Sequence, residues 1–265
     1  MKDQKDVTHS VETGTQDILA AISGSVATIT LNRPDRRNAL SMPMLEGLAK
    51  LLADFEIDDG VAVVVLTGAG SGFCAGGDVK SFKEQGGVAG HSDTLDRRLI
   101  DRQRASQRAT VGKLYTYAKP VVAALPGAAA GAGLGLALSA DLRIGCSRTV
   151  MAPAFAGVAL SGDFGTTWLL SRLVGPAKAR ELLWLNAKLR AEECLRLGLL
   201  NWLVADDELQ AKTNEIAHTL ANGPRGCLGK MKRNLLMAGT ADLFSAMDLE
   251  VELHLSCGVT ADHRE

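Results

Sequence analysis

The chain reads as an α/β protein: one large domain with a helical tail. Three observations predict this. Apolar runs of strand length alternate with stretches whose apolar residues recur at helical spacing. Two of the runs, 61–67 and 120–125, lead into glycine-rich turns. From residue 207 onward the pattern is helical only. With 265 residues, 46% of them apolar and 22% charged, the chain can bury a full core.

Each element has a local reason. Residues 26–31 (Val-Ala-Thr-Ile-Thr-Leu) alternate and predict a strand, closed by Asn-Arg-Pro-Asp. Ser41 predicts a helix cap, with Pro43 in the first turn and Leu45, Leu48, Leu51, Leu52 and Phe55 at helical spacing. Asp58-Asp59-Gly60 ends that helix, and the strand at 61–67 follows. Residues 83–93 hold three glycines and read as a mobile loop. Residues 95–117 predict a basic, polar helix with one face solvated or lying over a ligand. A small-residue helix begins by residue 134, and 142–146 is a short strand. Helices follow at 166–173, stopped by Gly175-Pro176, then at 177–186 and 191–197. Residues 201–204 form a strand.

Composition excludes several classes. A net charge of −1 gives no bulk attraction to nucleic acid or an anionic membrane. The five cysteines are scattered, with no Cys-x-x-Cys pair, so neither a zinc site nor a disulfide framework is indicated. The histidines show no metal spacing, and His91 in the 83–93 loop reads as solvated, with a substrate approach as the sharper reading. Residues 121–140 carry no charge. Pro126, the glycines and the many alanines fit a buried strand-turn-helix better than a membrane span. The first sixteen residues read as a loose polar tail without a signal sequence.

The glycine turns are 72–78 (Gly-Phe-Cys-Ala-Gly-Gly-Asp) and 127–135 (Gly-Ala-Ala-Ala-Gly-Ala-Gly-Leu-Gly). Both lack the Rossmann glycine pattern and the P-loop Gly-Lys-Ser/Thr. They read either as tight turns with close helix packing or as sites where free N–H groups meet an anion or a developing oxyanion. The residues alone leave both open. Arg33, Arg36 and Arg37 read as a solvated turn or a phosphate clamp. Asp141, in Ala-Asp-Leu-Arg, reads as a structural cap or a partner of Arg143. Asp163, between glycines and beside Phe164, reads as an N-terminal helix carboxylate or as a desolvated base with raised pKa.

Taken in order, these residues resemble the crotonase superfamily, the enoyl-CoA hydratase/isomerase group, over residues 22–262. The segment 31–40 (Leu-Asn-Arg-Pro-Asp-Arg-Arg-Asn-Ala-Leu) is similar to the family's first CoA-binding segment. Residues 73–78 match the first oxyanion segment and 119–141 the second. The resemblance implies a spiral of repeated ββα units with a C-terminal helical trimerisation region: a loose tail at 1–16, an acyl-CoA-binding core at 17–205 and trimerising helices at 206–265. It implies a homotrimer or dimer of trimers, and a cytoplasmic enzyme of fatty-acid metabolism. No metal, no permanently bound cofactor, no nucleic acid and no membrane partner are expected; coenzyme A enters as part of the thioester substrate.

Residue by residue, the resemblance assigns the two oxyanion N–H donors to Gly77 and Ala132. It assigns CoA contacts to Arg36, Arg37, Ala39, Ala75, Gly76, Asp78 and Val79, and a phosphate contact to Lys232. The chain also departs from the family. The two glutamates of typical hydratases would fall at Gly135 and near Ala154. However, 161–168 resembles the segment of members that shift double bonds, which makes Asp163 the catalytic carboxylate. The expected activity is therefore enoyl-CoA isomerisation, from the 3 to the 2 position or on a related ring substrate. Alternatives are hydration through Asp163 and water, acyl-CoA dehalogenation or thioester hydrolysis through an acyl-aspartate, and a non-catalytic CoA- or RNA-binding role. Phe155 stands where dehalogenases place a tryptophan.

Overall fold

The computed structural model of the chain describes residues 8–78, 94 and 96–264. The loop expected at 83–93, including His91, lies outside the described residues, as does Val79.

The central sheet has seven strands in the order β1-β2-β3-β4-β5-β7-β10. They are β1 (His9–Val11), β2 (Ile18–Ser23), β3 (Val26–Leu31), β4 (Val63–Gly68), β5 (Val121–Leu125), β7 (Leu142–Cys146) and β10 (Trp202–Val204). The first two pairings are antiparallel and the remaining four parallel. A second sheet joins β6 (Ala129–Ala130), β8 (Val150–Ala152) and β9 (Leu189–Arg190).

Helices lie on both faces of the central sheet, though not every helix touches it. They are α1 (Met42–Ile57), α2 (Arg97–Gln107), α3 (Ala132–Ser139), α4 (Thr166–Trp184), α5 (Ala191–Arg196), α6 (Leu209–Ala221), α7 (Arg225–Ala238), α8 (Leu243–Gly258) and α9 (Ala261–Arg264). α2 runs into a wider π turn at Arg108–Gly112. The parallel strands read as unbroken apolar runs because both faces are buried. On β4, Val64 and Leu66 join the core beneath α1, α3 and α4, while Val63 and Val65 pack toward α6.

α1 forms as its sequence dictates. Ser41 Oγ accepts the N–H of Met44 at 3.2 Å, and Leu48, Leu51, Leu52 and Phe55 are buried. Each such side chain contributes about 1.5–3 kcal/mol. Lys119 Nζ closes the other end, donating at 2.6 Å to the carbonyls of Phe55 and Asp58. At the 173–177 junction, Gly175 (φ 78°, ψ 160°) and Pro176 break α4 into two segments, as expected.

Two expectations need correction. The first sixteen residues are not wholly a loose tail: β1 pairs antiparallel with β2 and lengthens the sheet by one edge strand. Nor are residues 206–265 all an appendage. α6 lays Leu209, Ala217 and Ala221 on the sheet, so it belongs to the core domain. The uncharged stretch 121–140 is β5, β6 and α3, and no helix among the described residues is long and apolar enough to cross a membrane.

Candidate active site

The two glycine turns lie side by side. Cys74 and Ala129 form a parallel bridge, with Cys74 N–H donating to Ala128 O at 3.0 Å and Ala130 N–H to Cys74 O at 2.9 Å. Contact this close needs glycine. Gly76 has φ 87°, and a Cβ there would stand 2.6 Å from Ala130 O and 3.1 Å from Ala132 N. Gly77 follows directly, and Ala132 opens α3 with its N–H among the helix's unsatisfied donors. Among the described residues, neither the Gly77 nor the Ala132 N–H has an acceptor. Two main-chain donors therefore sit on adjoining turns, the second backed by the positive end of α3.

The 33–40 segment is stitched to the same turns. Ala75 N–H donates to Arg37 O at 3.0 Å and Leu40 N–H to Gly76 O at 2.8 Å. Arg33 donates to Asp78 at 3.2 Å, and Arg36 lies 3.9 Å from the same carboxylate. Ala39 is buried, whereas Arg36 and Arg37 stay exposed. Sequence reading missed Asn38, which organises this junction. Fully buried, it donates to Ala69 O (2.9 Å) and Gly72 O (2.8 Å) and accepts from Arg33 N–H (2.9 Å). A lone asparagine in a polar turn carries no sequence signal for that role.

Asp163 lies in the loop before α4, and the neighbouring Phe164 and Thr166 touch the second glycine turn at Gly135 and Gly131. Its Oδ2 accepts from Gln103 Nε2 at 3.3 Å, while Oδ1 is buried without a partner among the described residues. Burial pushes its pKa from 3.8 up to about 6. The loop is tied to α3, because Thr166 Oγ1 donates to Gly131 O at 3.3 Å. It is tied to α2 as well, since Phe164 N–H donates to Gln107 Oε1 at 3.0 Å. Gln103 and Gln107 also escaped the sequence reading, which placed that helix face over solvent or a ligand without choosing residues.

The fold leaves no space for a side chain at position 135. A Cβ on Gly135 would stand 2.4 Å from Phe164 O and 2.9 Å from Thr166 Oγ1. The Asp163 loop thus fills the place where a glutamate would project. Phe155 is buried beside Gly131 and Gly162. Cys74, under the first turn, is no rival nucleophile: burial pushes its thiol up to about 12. A cavity of about 300 Å³ flanks the loop, walled by Gln107, Val111, Tyr115, Phe164, Trp168 and Leu169. A larger one, about 520 Å³, lies between α7 and α8 and shares no residue with this site.

Lys232 meets internal partners. Its ammonium is buried and donates to Asp141 Oδ2 at 2.9 Å and Leu114 O at 3.2 Å. Through these partners it joins α7 to the start of β7. Asp141 also accepts Val121 N–H at 2.7 Å. Of the two readings of Asp141, the structural one holds, since it caps Val121 N–H; Arg143 donates to Leu199 O and Ala140 O and acts on Asp141 through its charge alone. All five cysteines are free, and no cluster of metal-ligating side chains occurs among the described residues.

Known proteins resemble the chain over nearly its whole length. Residues 21–265 match the family model described as enoyl-CoA hydratase/isomerase. The chain belongs to the enoyl-CoA hydratase/isomerase family. It is 37% identical over 251 residues to a 1,2-epoxyphenylacetyl-CoA isomerase of Escherichia coli K12, covering 94% of this chain and 92% of the relative. It is 31% identical to a short-chain-enoyl-CoA hydratase of Clostridium acetobutylicum, with the same shares covered. The crystal structure of an enoyl-CoA hydratase from Bacillus anthracis superposes with a TM-score of 0.86 at 28% identity, covering 94% of each chain. The crotonase-type fold expected from the motifs is therefore the fold of this family member, and relatives at similar identity carry both isomerase and hydratase names.

Proposed function

We propose that this enzyme shifts the double bond of an enoyl-CoA thioester from the 3 to the 2 position, or performs the equivalent shift on a ring substrate. The observation that carries the reading is Asp163: a half-buried carboxylate whose buried Oδ1 is unpartnered, beside two turns whose N–H donors lack acceptors among the described residues. Adding water across a double bond asks for a base on water and an acid at the α-carbon, whereas moving the bond needs one carboxylate.

In this reading the Asp163 carboxylate takes the proton from C2 of the 3-enoyl thioester. The C–H electrons move into the conjugated system, and negative charge gathers on the thioester oxygen. The Gly77 and Ala132 amides donate to that oxygen, each worth about 3 kcal/mol in the transition state. The protonated Asp163 then gives the same proton to C4, and the electrons return to form the 2-enoyl product. No water is consumed. A pKa near 6 suits the task, since the group must both accept and release a proton. The CoA moiety would run past Arg36, Arg37 and Ala39 and along Ala75, Gly76 and Asp78.

The test is a panel of 2-enoyl, 3-enoyl and aromatic CoA thioesters, scored by product analysis for bond migration against hydration. Migration as the dominant reaction supports the proposal. A 3-hydroxyacyl thioester as the main product replaces it with the hydratase reading through Asp163 and water.

A further inference from the structure

We propose that Gln103 is a positioning residue for Asp163: it holds one carboxylate oxygen so that the other always faces the reacting carbons. The inference rests on the reading of Asp163 as proton carrier. It starts from helix α2, where Gln103 and Gln107 stand one turn apart on the same face. Those two turns grip two consecutive loop residues, Asp163 through Gln103 Nε2 and Phe164 through Gln107 Oε1. The partners fix which end of each amide is used. A carboxylate accepts only from the nitrogen end, and a main-chain N–H donates only to the oxygen end.

The loop needs such a grip. Gly162 (φ 115°), Phe164 (φ 47°) and Gly165 (φ 66°) all lie in the left-handed half of conformational space. For Phe164, which carries a Cβ, this is a strained conformation, so the surroundings must impose it. α2 widens into its π turn immediately after Gln107, which brings buried Val111 against Gly165. The helix thus contacts the loop at three successive points.

The consequence falls on the carboxylate. Its oxygens are unlike: Oδ2 is engaged by Gln103, and Oδ1 is buried and unpartnered among the described residues. A carboxylate that flipped freely would present either oxygen, and a proton taken at C2 would not reliably return at C4. A neutral amide suits the task better than a cation. Arginine or lysine at that distance would hold the carboxylate ionised and blunt it as a base. Of the charges nearby, Arg104 pairs with Asp101, Arg172 stacks on Trp168, and Arg108 lines the cavity beside Phe164. None forms an ion pair with Asp163 among the described residues.

The experiment uses Gln103→Met, close in length but without a donor, and Gln103→Asn, whose amide is one methylene short. In the unliganded protein, carbon-13 NMR should show the Asp163 carboxyl titrating about one pH unit higher in each folded variant. Turnover should fall about tenfold with KM within about twofold. In an Asp163→Asn background, Gln103→Met should add no further loss, because its effect passes through Asp163. An unmoved Asp163 titration, or an undiminished tenfold loss in the Asp163→Asn background, overturns the proposal. The titration needs no substrate. If Asp163→Asn alone leaves turnover intact, the isomerase reading fails while the NMR result still decides the Gln103–Asp163 link.

Discussion

Asp163 shows how one residue's surroundings set its chemistry. Burial alone raises its pKa to about 6, with no charged partner pulling against it. Two consequences follow with definite sign. Only the ionised form is a base, so kcat/KM should climb with pH through about 6 and then level off. Folding stability runs the opposite way. A carboxyl whose folded pKa is raised favours the folded state below its unfolded value, and that contribution is lost as pH rises through about 6. Asp163→Asn should therefore raise the melting temperature more at about pH 8 than at about pH 4. A flat rate profile across this range, or an equal thermal shift at both values, would contradict a carboxylate raised by desolvation.

At the scale of elements, the loop at 161–165 and helix α3 form one unit. Gly135 lets them touch, since any Cβ there meets Phe164 O. Gly135→Ala should cost about 1–3 kcal/mol in urea unfolding, and should lower turnover by pushing Asp163 from its place. A variant of full stability and activity would show that the contact is not tight. How much of this was legible beforehand depends on whether the signal was local. α1, β4 and β5 could be read because cap, spacing and apolar run lie within a few residues. The meeting of the two glycine turns could be anticipated only by resemblance, because pairing Cys74 with Ala129 is a long-range event. α6 looked detached because its buried positions include Thr213, Ala217 and Ala221, too small or polar to announce a core face. Asn38, Gln103 and Gln107 escaped because a polar residue's partner is chosen by the fold. The Lys232–Asp141 pair was illegible for the same reason: the two lie 91 positions apart.

At the scale of the whole molecule, α7 and α8 do not end in a polar surface. Leu235, Phe244 and Val259 are each more than 70% exposed, with Met231, Leu243 and Leu255 beside them in the sequence of the same helices. So much apolar side chain concentrated on two helices marks an interaction surface. The trimer or dimer of trimers that the family resemblance implies is an expectation to be tested at this surface. Light scattering should give a mass of three or six chains, and Leu235→Asp with Phe244→Asp should lower it. A wild-type chain that is monomeric and fully active at assay concentration would contradict that assembly.

The central claim is that one aspartate carries the proton while two main-chain amides hold the charge. Its most direct measurement is the turnover of a 3-enoyl-CoA thioester by Asp163→Asn, with CoA affinity measured on the same preparation. The account predicts a loss of at least about a hundredfold in kcat with affinity near the unmodified value. Turnover equal to that of the unmodified chain would remove Asp163 from the reaction and the mechanism with it.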